Sequence, residues 1–196
     1  MKHNDKSPLT EITRSEYLRA SKIKSPERYK KLKNYYKQKN MLKELDFAKL
    51  FNNDEFVWRQ IIGDYDVIIA FEGAFYELQQ RTKGWGGVNR IKRITKKLLT
   101  ECISTALDTE DLYVSCSCDD FKYRFNFWLS QAGGKYGPLE TRPPKVRNVN
   151  NNKGYVCKHI LNALHGKRWV IAAASAWLEY INENKELVSE YIWGDL

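Results

Sequence analysis

The chain has 196 residues, of which 42% are hydrophobic and 13% aromatic, so its composition is that of a globular domain and excludes wholesale disorder. No apolar run approaches the roughly 18 residues that a membrane helix needs, and the first residues, MKHNDKSPLTE, lack the apolar core of a signal peptide. We therefore expect a protein that is not secreted and works in a reducing compartment, where cysteines serve as ligands or core residues.

The net charge of +9 is unevenly distributed along the chain. The first 44 residues hold 13 Lys+Arg against 5 Asp+Glu, whereas the remaining 152 hold 20 against 19. This difference predicts a basic N-terminal arm, residues 1–50, followed by a nearly neutral domain, residues 51–196.

The arm is predicted to be partly helical. Ser25-Pro26-Glu27 is typical of a helix start, with Ser as N-cap, Pro in the first turn and Glu near the positive end of the dipole. The apolar and aromatic residues that follow recur at helical spacing between lysines: Tyr29, Leu32, Tyr35, Tyr36, Leu42 and Leu45.

The domain alternates strand and helix signals. The segment from Phe47 to Ile62 is mixed and left unassigned, whereas the β-branched run from Tyr65 to Phe71 predicts a strand. A helix is predicted from Ala74 to Arg81, ended by the glycines around Trp85. The next helix is predicted from apolar residues at helical intervals: Val88, Ile91, Ile94, Leu98, Cys102, Ile103 and Leu107.

The second half of the domain continues this mixture. Leu112 to Cys118 predicts a strand, Phe121 to Leu129 a helix, and Gly133 to Gly154 a long loop rich in Gly, Pro and Asn. A final helical region runs from Cys157 to about Trp193, with a pause at His165-Gly166. Together these elements predict an α+β fold in which helices cover a small sheet.

Three of the four cysteines fall into two short motifs, Cys116-x-Cys118 and Cys157-x-His159. Residues i and i+2 of a strand point to the same face, so Cys116 and Cys118 can present both sulfurs to one point. Cys157 is expected at a helix start with His159 in the first turn. Three thiolates and one imidazole are a set that Zn²⁺ favours.

Four protein ligands complete a tetrahedron, so we predict one structural Zn²⁺ bound by Cys116, Cys118, Cys157 and His159, closing a loop of 38 residues. The alternative is that these are buried, reduced cysteines beside an unrelated core histidine. Cys102 lies on the apolar face of its helix and is interpreted as a core residue.

These motifs also resemble a known family. CxC followed by CxH at a helix start resembles the SWIM-type zinc finger. The context Cys116-Ser117-Cys118-Asp119-Asp120-Phe121, the Arg142-Pro143-Pro144 loop and Cys157-Lys158-His159-Ile160 are similar to a SWIM-containing family of tailed bacteriophages. This resemblance covers about Tyr65 to Tyr180 and implies a zinc-stabilised fold in a virion-associated protein.

The resemblance leads us to expect a virion structural or assembly protein (neck, connector, tail or capsid-associated) that acts through contacts with other virion proteins in an oligomeric assembly. Its expected location is the virion, or the host cytoplasm before assembly. Trp85 and Trp193 are candidate interface anchors, and the alternative is that they cap the edge of the core.

The alternative function is nucleic-acid binding without sequence preference, through the arm and the basic face predicted around Arg90 to Lys97. The candidate contact residues are Lys30, Lys31, Lys33, Tyr35, Tyr36, Lys37, Arg90, Lys92, Arg93, Lys96 and Lys97. No phosphate-binding glycine loop or nucleophile motif is present, and Asp119-Asp120 alone is weak evidence for a second metal, so neither an enzyme nor a small-molecule substrate is expected.

Overall fold

A four-stranded antiparallel sheet forms the centre of the fold, with its strands in the order β1-β2-β3-β4. The computed structural model describes residues 12–24, 43–87, 89–144, 156–166 and 168–194. The strands are β1 (Lys43–Leu45), β2 (Glu55–Ile62), β3 (Tyr65–Glu72) and β4 (Tyr113–Cys116). The predicted α+β class is confirmed, and the two strands predicted from the sequence are the neighbours β3 and β4.

Strands β2 and β3 form a regular hairpin that pairs from Glu55 with Glu72 to Ile62 with Tyr65. The two-residue turn between them contains Gly63 at a φ of 64°, a conformation that glycine adopts without a steric penalty. The segment holding β2 had no strand assignment because Phe56, Val57 and Trp58 are all buried. A strand buried on both faces does not show the alternation of apolar and polar residues that identifies an exposed strand.

Eight α-helices surround this sheet within the described residues, which together with the sheet defines the α+β architecture. They are α1 (Arg14–Lys24), α2 (Phe47–Asn53), α3 (Ala74–Thr82), α4 (Lys96–Thr109), α5 (Asn126–Gln131), α6 (Lys158–His165), α7 (Arg168–Glu183) and α8 (Lys185–Trp193). A 3-10 turn at Arg90–Arg93 precedes α4, and a π-helical turn at Phe121–Phe125 leads into α5.

Large aromatic side chains fill the core between the sheet and α7. Trp58 on β2 stacks with Trp169 at 5.9 Å between ring centroids, and Phe56 lies 6.4 Å from Trp177. Phe56 also stacks on Phe71 of β3 at 4.8 Å. Trp177 is completely buried, so α7 is held to the sheet by extensive apolar contact.

The described parts of the segment 1–50 pack against the rest of the described structure. Tyr17 of α1 is completely buried and its hydroxyl donates to the carbonyl of Leu112 at 3.1 Å. Gly134 approaches so closely that an added Cβ would lie 2.0 Å from the Tyr17 hydroxyl. Leu45 belongs to β1 and not to a helix, because it pairs with Trp58 on β2. The helix predicted from Ser25 lies mostly outside the described residues.

The continuous helix predicted from Val88 to Leu107 is wrong, because the chain is extended at Ile94 between the 3-10 turn and α4. Thr95 is the N-cap of α4, and its side chain accepts a hydrogen bond from the amide of Leu98 at 3.2 Å. Arg90, Lys92 and Arg93 therefore do not share a helix face with Lys96 and Lys97.

The C-terminal helical region has the predicted pause at His165-Gly166 and a second break that was not predicted, at Asn184. The Asn184 side chain donates to the carbonyl of Tyr180 at 3.0 Å at the break between α7 and α8. The predicted loop from Gly133 has no helix or strand up to Pro144, and the rest of it lies outside the described residues up to Val156. None of the described helices is both long enough and apolar enough to cross a bilayer.

Candidate metal centre

The first pair of predicted ligands lies at the end of β4. Cys116 is the last residue of this strand and pairs with Val67 of β3. Cys118 lies two residues beyond it, where the Ser117 amide donates to the Asp66 carbonyl at 2.9 Å. The Ser117 hydroxyl in turn accepts from the Asp66 amide at 2.9 Å, so the segment between the two cysteines is attached to β3 from both sides.

The second pair lies at the start of α6. Cys157 is the N-cap of this helix in an extended conformation, and its carbonyl accepts from the amide of Leu161 at 3.0 Å. His159 follows in the first turn, as the sequence predicted. Helix α6 packs against β3 and β4, which brings this turn to the end of the sheet where Cys116 lies.

Cys116, Cys118, Cys157 and His159 form one group, the Cys3His cluster, whose four ligand atoms all lie within 4.8 Å of one another. The His159 Nδ1 atom is 3.7 Å from the Cys116 sulfur and 3.9 Å from the Cys157 sulfur. In a tetrahedral zinc site with ordinary bond lengths, a sulfur and a nitrogen ligand are about 3.6 Å apart. The Cys3His cluster therefore has the donor set and nearly the spacing that one metal ion requires.

The Cys3His cluster is buried, with His159 exposed by 3% and Cys157 completely enclosed. Burial is the main reason that the pKa of the Cys157 thiol is raised well above its usual value. Hydrogen bonding with Cys118 raises the pKa of Cys116 to about 12, and the thiols of Cys116 and Cys157 lower the pKa of Cys118. A bound cation would favour ionisation of all three thiols.

Neighbouring residues hold the ligands in place. The amide of Phe121 donates to the Cys118 sulfur at 3.3 Å, and the amide of Lys122 donates to the Cys118 carbonyl at 2.9 Å. Both amides belong to the π-helical turn, so this turn fixes the position of one sulfur. Such hydrogen bonds orient a ligand and tune its basicity.

Tyr65 is a neighbour of the Cys3His cluster that the sequence did not identify. Its ring lies over the His159 imidazole, with 4.6 Å between centroids and 36° between planes. Tyr65 is the first residue of β3 and is 38% exposed, so it separates His159 from solvent. A contact between residues so far apart in the chain has no local sequence signal.

The other predicted contact residues do not belong to the Cys3His cluster. Lys92, Arg93, Lys96 and Lys97 are exposed, and Lys30, Lys31, Lys33, Tyr35, Tyr36 and Lys37 lie outside the described residues. Trp85 and Trp193 are partly buried against the core, as the core-edge alternative predicted. The Arg93 guanidinium lies over the Trp85 ring at 4.4 Å, and the Arg90 guanidinium over the Trp193 ring at 4.3 Å.

Two further predictions concern residues near the Cys3His cluster or in the core. Asp120 forms an ion pair with Arg124 at 2.9 Å, one helical turn away, so its carboxylate is engaged within its own helix. Cys102 is completely buried on α4, which confirms its interpretation as a core residue.

The arrangement can hold one metal ion with a complete set of protein ligands. Comparison with known proteins adds no relative, because no family model, curated protein or solved structure matches the chain. The SWIM resemblance therefore stays a prediction made from the residues, and the evidence for a function of this chain is the Cys3His cluster itself.

Proposed function

We propose that the Cys3His cluster binds one Zn²⁺ ion and that this ion is structural. The observation that carries the proposal is the convergence of four buried ligand atoms within 4.8 Å. Four protein ligands complete a tetrahedron, which leaves no coordination position for a reactive water. The ion would join the end of β4 to the start of α6 and so add its binding energy to the stability of the fold.

The donor set favours zinc over other common divalent ions. Thiolates are soft ligands that Mg²⁺ and Ca²⁺ avoid, since both prefer oxygen donors. A set of three sulfurs and one nitrogen in tetrahedral arrangement is typical of structural zinc sites. Zinc has no redox chemistry, which is consistent with a role in stability alone.

Metal analysis of the purified chain tests this step. We expect about one zinc per chain, and a Co²⁺-substituted protein should show the absorption bands of tetrahedral cobalt–thiolate coordination. Chelator treatment should lower the thermal midpoint of unfolding. A folded chain that contains no metal and is indifferent to chelator would overturn the zinc proposal.

We further propose that the zinc-stabilised domain is an assembly protein of a bacteriophage particle and acts through contacts with other virion proteins. The support is the SWIM resemblance, together with a metal site whose filled ligand set suits a scaffold better than a catalyst. In this proposal the ion holds the fold and the protein surface carries the function.

One exposed surface supports protein contacts. Tyr76 on α3 is 54% exposed and Leu187 and Tyr191 on α8 are 42% and 37% exposed. The two helices are joined here, because the Gln79 side chain donates to the Tyr191 carbonyl at 3.1 Å. Large apolar and aromatic side chains at one helix junction are the kind of residue that carries binding energy in protein interfaces.

Mass spectrometry of purified particles tests the assembly role. We expect the chain as a stoichiometric component, and we expect the pair Tyr76→Ser and Leu187→Ser to reduce its incorporation. The matched control pair is Tyr123→Ser and Leu139→Ser, since these residues are 53% and 64% exposed elsewhere on the surface. Absence of the chain from particles would overturn the assembly role and leave the zinc proposal unaffected.

A further inference from the structure

The charge of the domain is concentrated in one short stretch. Residues 45–196 contain 20 Lys+Arg and 19 Asp+Glu, yet the 15 residues from Lys83 to Lys97 contain six Lys+Arg and no acidic residue. The rest of these 152 residues therefore holds 14 basic against 19 acidic side chains. We name Lys83, Arg90, Lys92, Arg93, Lys96 and Lys97 the basic surface.

The fold brings part of this stretch, Trp85 with Arg90 and Arg93, together with Trp193 near one carbonyl group. The Thr82 carbonyl, at the end of α3, accepts from the Trp85 amide at 3.0 Å and from the Trp193 indole Nε1 at 3.3 Å. The two indoles therefore lie at the same place on the protein. They bring with them the guanidiniums of Arg90 and Arg93, which stack on Trp193 and Trp85.

Most of these cations have no carboxylate to pair with. Lys83, Lys92, Arg93, Lys96 and Lys97 are exposed, and in the part of the chain that the structure describes none of the five forms an ion pair. The nearest acidic residues along the chain, Glu77 and Glu101, are engaged with Arg81 at 3.0 and 3.4 Å. Within the described residues, the charges of these five side chains are thus not neutralised by a carboxylate.

The positive charge of the basic surface and its lack of exposed apolar side chains indicate the class of partner. Exposed large apolar side chains occur among the described residues at positions such as Tyr76 and Ile171, but not between 83 and 97. A membrane-binding helix needs an apolar face beside its lysines, and a protein interface needs an apolar centre. An interface that is strongly positive and polar throughout is typical of nucleic-acid binding.

The stacked arginine suits phosphate in particular. A guanidinium that is already held over an indole ring loses less freedom when it binds, and its N–H groups can donate to phosphate oxygens. Because one face of the Trp85 ring is covered by Arg93, contact with the phosphate backbone is favoured over base stacking on that face.

We propose that the basic surface binds the phosphate backbone of double-stranded nucleic acid without sequence preference. It shares no residue with the Cys3His cluster, so the proposal does not depend on zinc or on the assembly role. DNA and RNA duplexes offer the same phosphodiester chemistry and are distinguished by the experiment.

Fluorescence anisotropy with the full-length chain and labelled 30-base-pair DNA and RNA duplexes, titrated across salt, tests the proposal. The pair Lys92→Gln and Lys96→Gln removes two charges from the basic surface, and Arg142→Gln with Lys185→Gln removes two exposed charges elsewhere. Each lost phosphate contact lowers the salt slope by about 0.9, so we expect a decrease near 2 and roughly ten- to a hundred-fold weaker binding at 0.1 M salt.

The control pair should bind the duplex with nearly the affinity of the unmodified chain. The duplex that binds more tightly, DNA or RNA, identifies the nucleic acid. Equal loss in both pairs, or no duplex binding by the unmodified chain, would overturn the proposal. The proposal would also be overturned if polyglutamate or phosphatidylglycerol vesicles displaced the labelled duplex as well as unlabelled duplex does at the same concentration of negative charge. Zinc content and far-UV circular dichroism should be unchanged in both pairs, since all four residues are exposed.

Discussion

Two regions of the sheet are held in different ways. On the side of β2, Phe56 and Trp58 pack against Trp169 and Trp177 of the 16-residue helix α7. At the end of β4, a four-residue strand meets the eight-residue helix α6 through three cysteines and one histidine. Helix α6 also buries apolar side chains, such as Ile160 and Leu164, so we expect a bound metal ion to add to hydrophobic contact at this end and not to replace it.

The largest effect is expected at the metal end. Cys157→Ser should remove the zinc and lower the free energy of unfolding by more than about 5 kcal/mol, because binding of a structural zinc is worth of order 10 kcal/mol. Metal analysis measures the loss of zinc, and urea unfolding measures the decrease in the free energy of unfolding. Cys102→Ala is the matched control, since it also removes a buried cysteine but should retain one zinc per chain.

If Cys157→Ser folds as stably as the unmodified chain, metal coordination does not hold the β4 end and the comparison fails. If Cys102→Ala loses metal as well, the ligand set is not the one proposed.

A smaller but substantial loss is expected on the aromatic side. Trp177→Ala should lower the free energy of unfolding by about 3–5 kcal/mol, because it leaves a large cavity beside Phe56. The zinc content should be unchanged, which separates this side from the metal end. Ile171→Ala on the same helix is the control, since Ile171 is 51% exposed and its truncation should change stability by less than about 0.5 kcal/mol.

Loss of zinc in Trp177→Ala would show that the two regions of the sheet are not independent. An equal decrease in the free energy of unfolding in Trp177→Ala and Ile171→Ala would show that α7 is not anchored by its buried face.

The smallest effect concerns the rate at which the metal leaves. Tyr65→Ala removes the ring over His159 and should speed zinc transfer to a chromogenic chelator about two- to tenfold, the range that an aromatic pair of 0.5–1.5 kcal/mol allows. Tyr65→Phe keeps the ring and should release zinc at the rate of the unmodified chain. Equal rates in Tyr65→Ala and the unmodified chain would mean that the ring does not shield the ligand.

The sequence also predicts the contacts of the two regions to different extents. The four ligands of the Cys3His cluster were identified because cysteine is scarce and its spacing is constrained by coordination chemistry. The stack of Trp58 on Trp169 and the tilted contact of Tyr65 with His159 were not predicted, because residues distant in sequence leave no local pattern. Strand β2 was missed because burial on both faces removes its alternation.

The error at Thr95 has a local cause. Apolar residues continue at helical intervals across this position, so periodicity alone predicts one helix from Val88 to Leu107. Instead, a new helix begins where the Thr95 hydroxyl accepts a hydrogen bond from the Leu98 amide. A single N-cap threonine thus outweighs a periodic pattern that extends on both sides of it.

The order of the metal ligands along the chain has a consequence for biosynthesis. Cys116 and Cys118 leave the ribosome first, and the full ligand set exists only after His159 has emerged, 41 residues beyond Cys118. Trp169 and Trp177 are translated later still. If the proposed ion binds as soon as His159 has emerged, the β4 end closes before α7 has left the ribosome.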